Sequence, residues 1–162
     1  MAIDPYDKGD IQSDIRRAED LLQSGIFDPS NAQSALFRAA FVDLLIALRD
    51  LMYKTEKYSR RITFTDDVSL TDRVKDVTGL IKFVRDALCH PEIENHYFDG
   101  TDVKATFNVI FGAGSILRTP AFEQSSPHTD DICFFFGSQR VFLNRHIRRA
   151  LAEAKQQLLP LL

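Results

Sequence analysis

One stretch, residues 29–58, constrains this chain more than any other feature. Phe37, Phe41, Leu44, Leu48 and Met52 recur at helical spacing, and Ala39, Val42 and Ile46 widen the stripe. Asp43, Asp50, Lys54 and Lys57 leave only a narrow polar edge, with Asp50 and Lys54 at the favourable i,i+4 spacing. A helix so broadly apolar has to be covered by several other helices or by a second subunit.

The chain supplies such helices. Ile11, Ile15, Ala18 and Leu22 predict a first helix over 10–24, stopped by Gly25. Asp28-Pro29 reads as an N-cap with proline at the first helical position, opening the long helix. Ser69 and Asp72 resemble a capping box, and Val74, Val77, Ile81, Val84 and Leu88 then form the stripe of a third helix. Pro91 disfavours helical geometry at His90 and should end it there. A last helix over 145–159 has Ile147, Leu151, Ala154 and Leu158 inward, with Asn144 as its cap.

Between the third and last helices the period changes. Residues 103–111, 132–136 and 140–143 read as strands, with turns at 112–115 and Gly137-Ser138 and a polar loop over 118–130. The expectation is a single domain spanning 1–162 of mainly α class. It is a bundle of about four main helices with a small three-stranded antiparallel β-meander before the last one. Thirteen Phe against no Trp fill such a core without polar tips that need partners.

The formal charge of -3 argues against a protein that coats nucleic acid electrostatically, while leaving room for a local basic pocket. Cys89 and Cys133 lack CxxC spacing and read as buried reduced thiols. No apolar run approaches membrane-spanning length and the N-terminal stretch is polar, so a cytoplasmic location is expected.

One motif carries chemistry: Arg85-Asp86-Ala87-Leu88-Cys89-His90, near the end of the third helix. It resembles the R-x4-6-H signature of the HEPN superfamily, in which a polar residue commonly follows the arginine. The resemblance covers residues 10–90 and the last helix; the β-meander is an elaboration on the minimal bundle. It implies a homodimer in which two facing motifs build one interfacial ribonuclease site that requires neither metal nor cofactor. His90 would be general acid or base, Arg85 the phosphate clamp, and Asp86 would orient Arg85, His90 or a partner residue. These types suit cleavage through the RNA 2′-hydroxyl, because histidine moves protons near neutral pH and a forked, permanent cation matches phosphate. A toxin, a phage-defence effector or an RNA processor would fit, with an antitoxin or regulatory protein as a further partner. The alternative is a non-catalytic HEPN-like dimer that binds a protein or nucleotide. Glu92 stands where toxins with nucleotidyltransferase antitoxins often carry tyrosine, and Asp86 stands where asparagine is frequent.

On a regular helix, positions five apart point about 140° away from each other. Arg85 and His90 therefore converge only if the helix end unwinds or each works with the partner's copy. The plainer reading of His90 is an exposed residue at a helix end, interacting with the last carbonyls. Arg140 to His146 also fits the spacing, but joins a predicted strand to a helix start and is set aside.

Arg145, His146, Arg148 and Arg149 form a basic cluster at the start of the last helix, a candidate RNA-phosphate contact or simply a solvated face. Cations there oppose the helix dipole. His90 and His96 with Glu92 and Glu94 match no zinc spacing and read as a surface acidic loop; His128 reads as exposed.

Overall fold

The computed structural model describes residues 3–162. Among the described residues the chain is mainly α, with four α-helices and a three-stranded antiparallel sheet placed before the last of them, as expected. No helix among the described residues is long and apolar enough to cross a membrane. By their contacts the described residues form two compact units: those up to Thr63 together with Arg149–Leu162, and Phe64–Arg148.

In the first unit α1 (Pro5–Gln23) begins earlier than the apolar pattern indicates. Asp4 is the cap, accepting from the Tyr6 N–H at 2.9 Å, and Pro5 occupies the first helical position. The Asp28-Pro29 signal makes only a 3-10 turn, Pro29–Asn31. The long helix, α2 (Ala35–Tyr58), starts instead behind Ser34, whose hydroxyl accepts from the Leu36 N–H. Phe37, Phe41, Leu44, Leu48 and Met52 are buried as the spacing predicts. They lie in a unit where α1, α2 and α4 (Arg149–Leu158) pack on one another.

The polar edge of α2 does not face water alone. It meets the acidic face of α1 in a seam: Asp43 pairs with Arg17 at 3.3 Å, and Lys54, whose side chain is 3% exposed, places its ammonium 2.5 Å from Asp50 and 3.3 Å from Asp10. Asp7 accepts from Lys57 at 2.8 Å and also from the Tyr58 hydroxyl. Asp14 sits against Asp50. Burial, then a shared hydrogen bond with Asp50 and the repulsion of its charge, push the Asp14 carboxyl up to about 6 from 3.8, against the pull of Arg17 and Lys54.

The raised value means that the native state holds a proton that the unfolded chain releases. Stability therefore falls as pH rises from about 4 through about 6 and stays lower above that. Asp14→Asn, which keeps a donor toward Asp50 without the charge, is expected to melt above the wild type at pH 7.5. The gap should close by pH 4.5. Melting curves at both values check this, and an Asn variant less stable than wild type at pH 7.5 would contradict it.

In the second unit α3 (Val77–Cys89) is capped by Asp76, whose carboxylate accepts from the Gly79 N–H at 2.7 Å. The predicted box at Ser69 lies outside any helix, because 69–76 remains irregular. The sheet runs β1 (Thr106–Phe111), β4 (Ile132–Phe136), β5 (Gln139–Phe142), all antiparallel. Gly137-Ser138 makes the β4–β5 turn. The expected loop at 118–130 is partly a hairpin, β2 (Gly114–Arg118) with β3 (Glu123–Ser126). Phe134, Phe135 and Phe136 are at most 2% exposed and serve the core. Cys133 is buried, its thiol pushed up to about 12 by desolvation, while Cys89 is only half-buried.

The last helix starts with a π-helical turn, Leu143–Arg148. Asn144 does not cap it, since its side-chain amide donates to the Asp130 carbonyl. The cap comes from Asp131, whose side chain is fully buried. Its carboxylate accepts from the N–H groups of Ile132 and Asn144 at 2.8 Å, and from that of Arg145 at 3.0 Å.

Candidate functional site

The helix carrying Arg85 and Asp86 ends at His90, which is its C-cap with φ −129° and ψ 91°. Pro91 disfavours helical geometry at the residue before it, and the helix stops where the sequence indicates. The backbone at His90 is thus extended, so the regular helical wheel does not apply to its side chain. The imidazole is exposed, while the peptide groups beside it are held. The His90 N–H donates to the Asp86 carbonyl at 2.9 Å, and the His90 carbonyl accepts from the Ile93 N–H at 3.2 Å.

Arg85 is 36% exposed and donates from a terminal guanidinium nitrogen to Asp86 at 2.8 Å. Lys82 approaches the other Asp86 oxygen at 3.4 Å. Of the roles considered for Asp86, orienting Arg85 is the one this contact provides. One carboxylate between two cations leaves the group with a net positive charge, suited to a phosphate. The Arg85 Nε is buried and has no hydrogen-bond partner among the described residues.

His96 is not part of an exposed acidic loop. It is 4% exposed and belongs to a 3-10 turn, Glu94–His96, in which Asn95 is 2% exposed; Glu92 and Glu94 do face solvent. The His96 Nε2 lies 3.2 Å from the His90 carbonyl and Asn95 donates to the Phe83 carbonyl at 2.8 Å. Arg73 donates to the Asn95 side-chain oxygen and lies over the Phe83 ring at 5.2 Å. Arg73, Asn95 and His96 are thus attached to the same helix end as the motif; sequence reading missed Arg73 and Asn95 and placed His96 in a surface loop. The signal was weak: the apolar Ile93 and Phe98 flank Glu94-Asn95-His96-Tyr97 inside an aperiodic stretch. Nearby, an open, mixed-charge cleft of about 440 Å³ is lined by Arg73, Glu94, Tyr97, Phe98, Asp99 and Asp102.

The basic cluster is not brought together as one free surface. Arg145 is paired with Asp131 at 3.1 Å and Asp130 at 2.9 Å, with Asp67 at 3.9 Å. Those carboxylates account for a cation at a helix start. His146 is fully buried: its Nδ1 accepts from the Phe142 N–H at 3.1 Å and its Nε2–H donates to the Asp66 carbonyl at 2.9 Å. Burial holds its pKa below the usual histidine value, so this ring is neutral and structural. Arg148 and Arg149 are exposed, with Arg149 donating to Glu153 at 3.1 Å. His128, expected in solvent, is partly buried and sits 3.0 Å from Asp67, with its ring edge-on to Phe142. No group of three or more His, Cys, Asp or Glu side chains among the described residues is arranged to hold a metal ion.

No protein-family model matches the chain, and no curated protein or solved structure matches it either.

Proposed function

We propose that this chain is a HEPN-like endoribonuclease, acting as a homodimer, with His90 as the proton-transfer group and Arg85 as the phosphate clamp. The observation that carries this reading is the exposed imidazole of His90 on a backbone fixed on both sides, at the end of the helix where Asp86 holds Arg85. A backbone held on both sides leaves only the two side-chain torsions of the imidazole to be ordered in the transition state.

In the proposed step an RNA 2′-hydroxyl oxygen attacks the adjacent phosphorus as its proton passes to an imidazole. The P–O5′ bond breaks, the leaving oxygen takes a proton, and a 2′,3′-cyclic phosphate and a 5′-hydroxyl remain. Arg85 faces the charge that builds on the phosphoryl oxygens. In an in-line displacement the attacking and leaving oxygens lie on opposite sides of the phosphorus, so in a dimer one copy of His90 would take the proton while the other gives one.

The test is cleavage of a mixed RNA pool in EDTA. Arg85→Ala and His90→Ala are each expected to lose about a hundredfold or more in rate while remaining folded and dimeric. Asp86 already occupies Arg85, and this favours a second reading: a non-catalytic dimer that binds a protein or nucleotide. That reading takes over if wild type at micromolar dimer leaves the RNA intact, or if His90→Ala cuts as fast.

A further inference from the structure

We propose that the 3-10 turn Glu94–His96 is a clamp on the C-terminal end of α3 and that His96 is the positioning residue for His90. The inference rests on the ribonuclease reading for its consequence, though not for its geometry.

A helix end leaves carbonyl oxygens without intrahelical donors, and an exposed end ordinarily gives them to water. Here the His90 carbonyl, which accepts from the Ile93 N–H at 3.2 Å, receives a buried histidine as its second partner, the Nε2 of His96 at 3.2 Å. A carbonyl can only accept, so this nitrogen carries the proton and Nδ1 is the bare one in the neutral ring. That Nδ1 is buried with no hydrogen-bond partner among the described residues. Burying an imidazole with an unmet nitrogen is unfavourable, and helix capping alone does not call for it, since water would serve.

The adjacent residue acts on the same helix. Asn95 donates to the Phe83 carbonyl at 2.8 Å, so contacts from two neighbouring residues bracket the segment that contains Arg85, Asp86 and His90. Arg73 fixes the Asn95 amide from its other side. The far side of the turn is tied to the sheet: the His96 carbonyl accepts from the Ala105 N–H at 2.9 Å, and the Ala105 carbonyl accepts from the Gly137 N–H at 2.7 Å. The β4–β5 turn is thereby linked through His96 to the backbone of His90. The ring of His96 is itself buried, so it acts through His90 and does not meet the RNA.

Two variants separate this role from simple packing. His96→Gln keeps an amide N–H that reaches about where Nε2 lies; His96→Met keeps comparable volume without a donor. His96→Met is expected to lower kcat on the RNA pool about tenfold with KM changed less than about twofold, because misplacing a reacting group acts on the chemical step. Its His90 imidazole signals in proton–nitrogen NMR should shift or broaden. His96→Gln should keep kcat within about threefold of wild type and leave the His90 signals in place. A folded His96→Met with wild-type kcat and unmoved His90 signals overturns the clamp. If wild type itself leaves RNA intact, the ribonuclease reading fails and the His90 signals alone decide the clamp. Should His96→Met not fold, Asn95→Ser releases the other end of the bracket and is read in the same two ways.

Discussion

Gly137→Ala is expected to lower the unfolding free energy by about 4 kcal/mol, combining backbone strain with a steric overlap. The turn places Gly137 at φ +53°, in the left-handed region that residues with a Cβ enter only at a cost. A Cβ built there lies 2.1 Å from the Tyr97 carbonyl oxygen, 2.8 Å from its carbon and 3.2 Å from the Asn95 oxygen. These are backbone atoms, so no rotamer change relieves the contact. The neighbours can move only if the 3-10 turn or the hairpin shifts, which also breaks the Gly137 N–H bond to Ala105. Gly25→Ala is the control: φ is +77°, but nothing lies within 4 Å of the added carbon, so only the conformational part, about 1 kcal/mol, is lost. Urea denaturation of both variants measures the difference. A Gly137→Ala midpoint equal to wild type would mean that the hairpin turn does not lie against Tyr97.

Asp131→Ala should cost about as much, 3–5 kcal/mol by analogy with breaking a buried ion pair from one side, ~4 kcal/mol at the centre. The carboxylate is fully buried and takes four donors: the N–H groups of Ile132, Asn144 and Arg145, and the Arg145 guanidinium at 3.1 Å. Removing it leaves the first N–H groups of the last helical segment unmet and Arg145 with weaker partners. Asp130 is the comparison, because its ion pair with Arg145 is made by a carboxylate that is 72% exposed. Asp130→Ala is therefore expected to change stability by less than about 1 kcal/mol. Chemical denaturation of the pair tests the contrast; equal losses would show that Asp131 is not the cap.

Periodicity made the helices and the three-stranded sheet legible. Phe37 to Met52 had to be covered and is, and Pro91 ends α3 at His90 because its effect on the preceding residue is local. Helix starts were less legible. Asp28-Pro29 and Ser69 look like caps by residue type, but a cap works only where the following residues become helical, and these begin at Ala35 and Val77. Asp131 escaped notice for a different reason: its partners Asn144 and Arg145 are brought to it by the fold.

The candidate site was legible only in part. Arg85, Asp86 and His90 lie at one helix end, which the apolar stripe and Pro91 mark in the sequence. Arg145 and His146 looked like a basic surface, yet the tertiary structure gives Arg145 three carboxylates and buries His146 between two backbone groups. His96 was misread in the opposite sense. Its acidic neighbours Glu92 and Glu94 are exposed, but a 3-10 turn rotates Asn95 and His96 inward, and no period in the sequence marks such a turn.

The most direct test of the central claim is the end chemistry of RNA incubated with the wild-type protein in EDTA. Cleavage through the 2′-hydroxyl predicts fragments ending in 2′,3′-cyclic phosphate with new 5′-hydroxyls, formed by wild type and lost with His90→Ala. Intact RNA, or cyclic-phosphate ends produced equally by His90→Ala, would contradict the assignment of this helix end as a ribonuclease site.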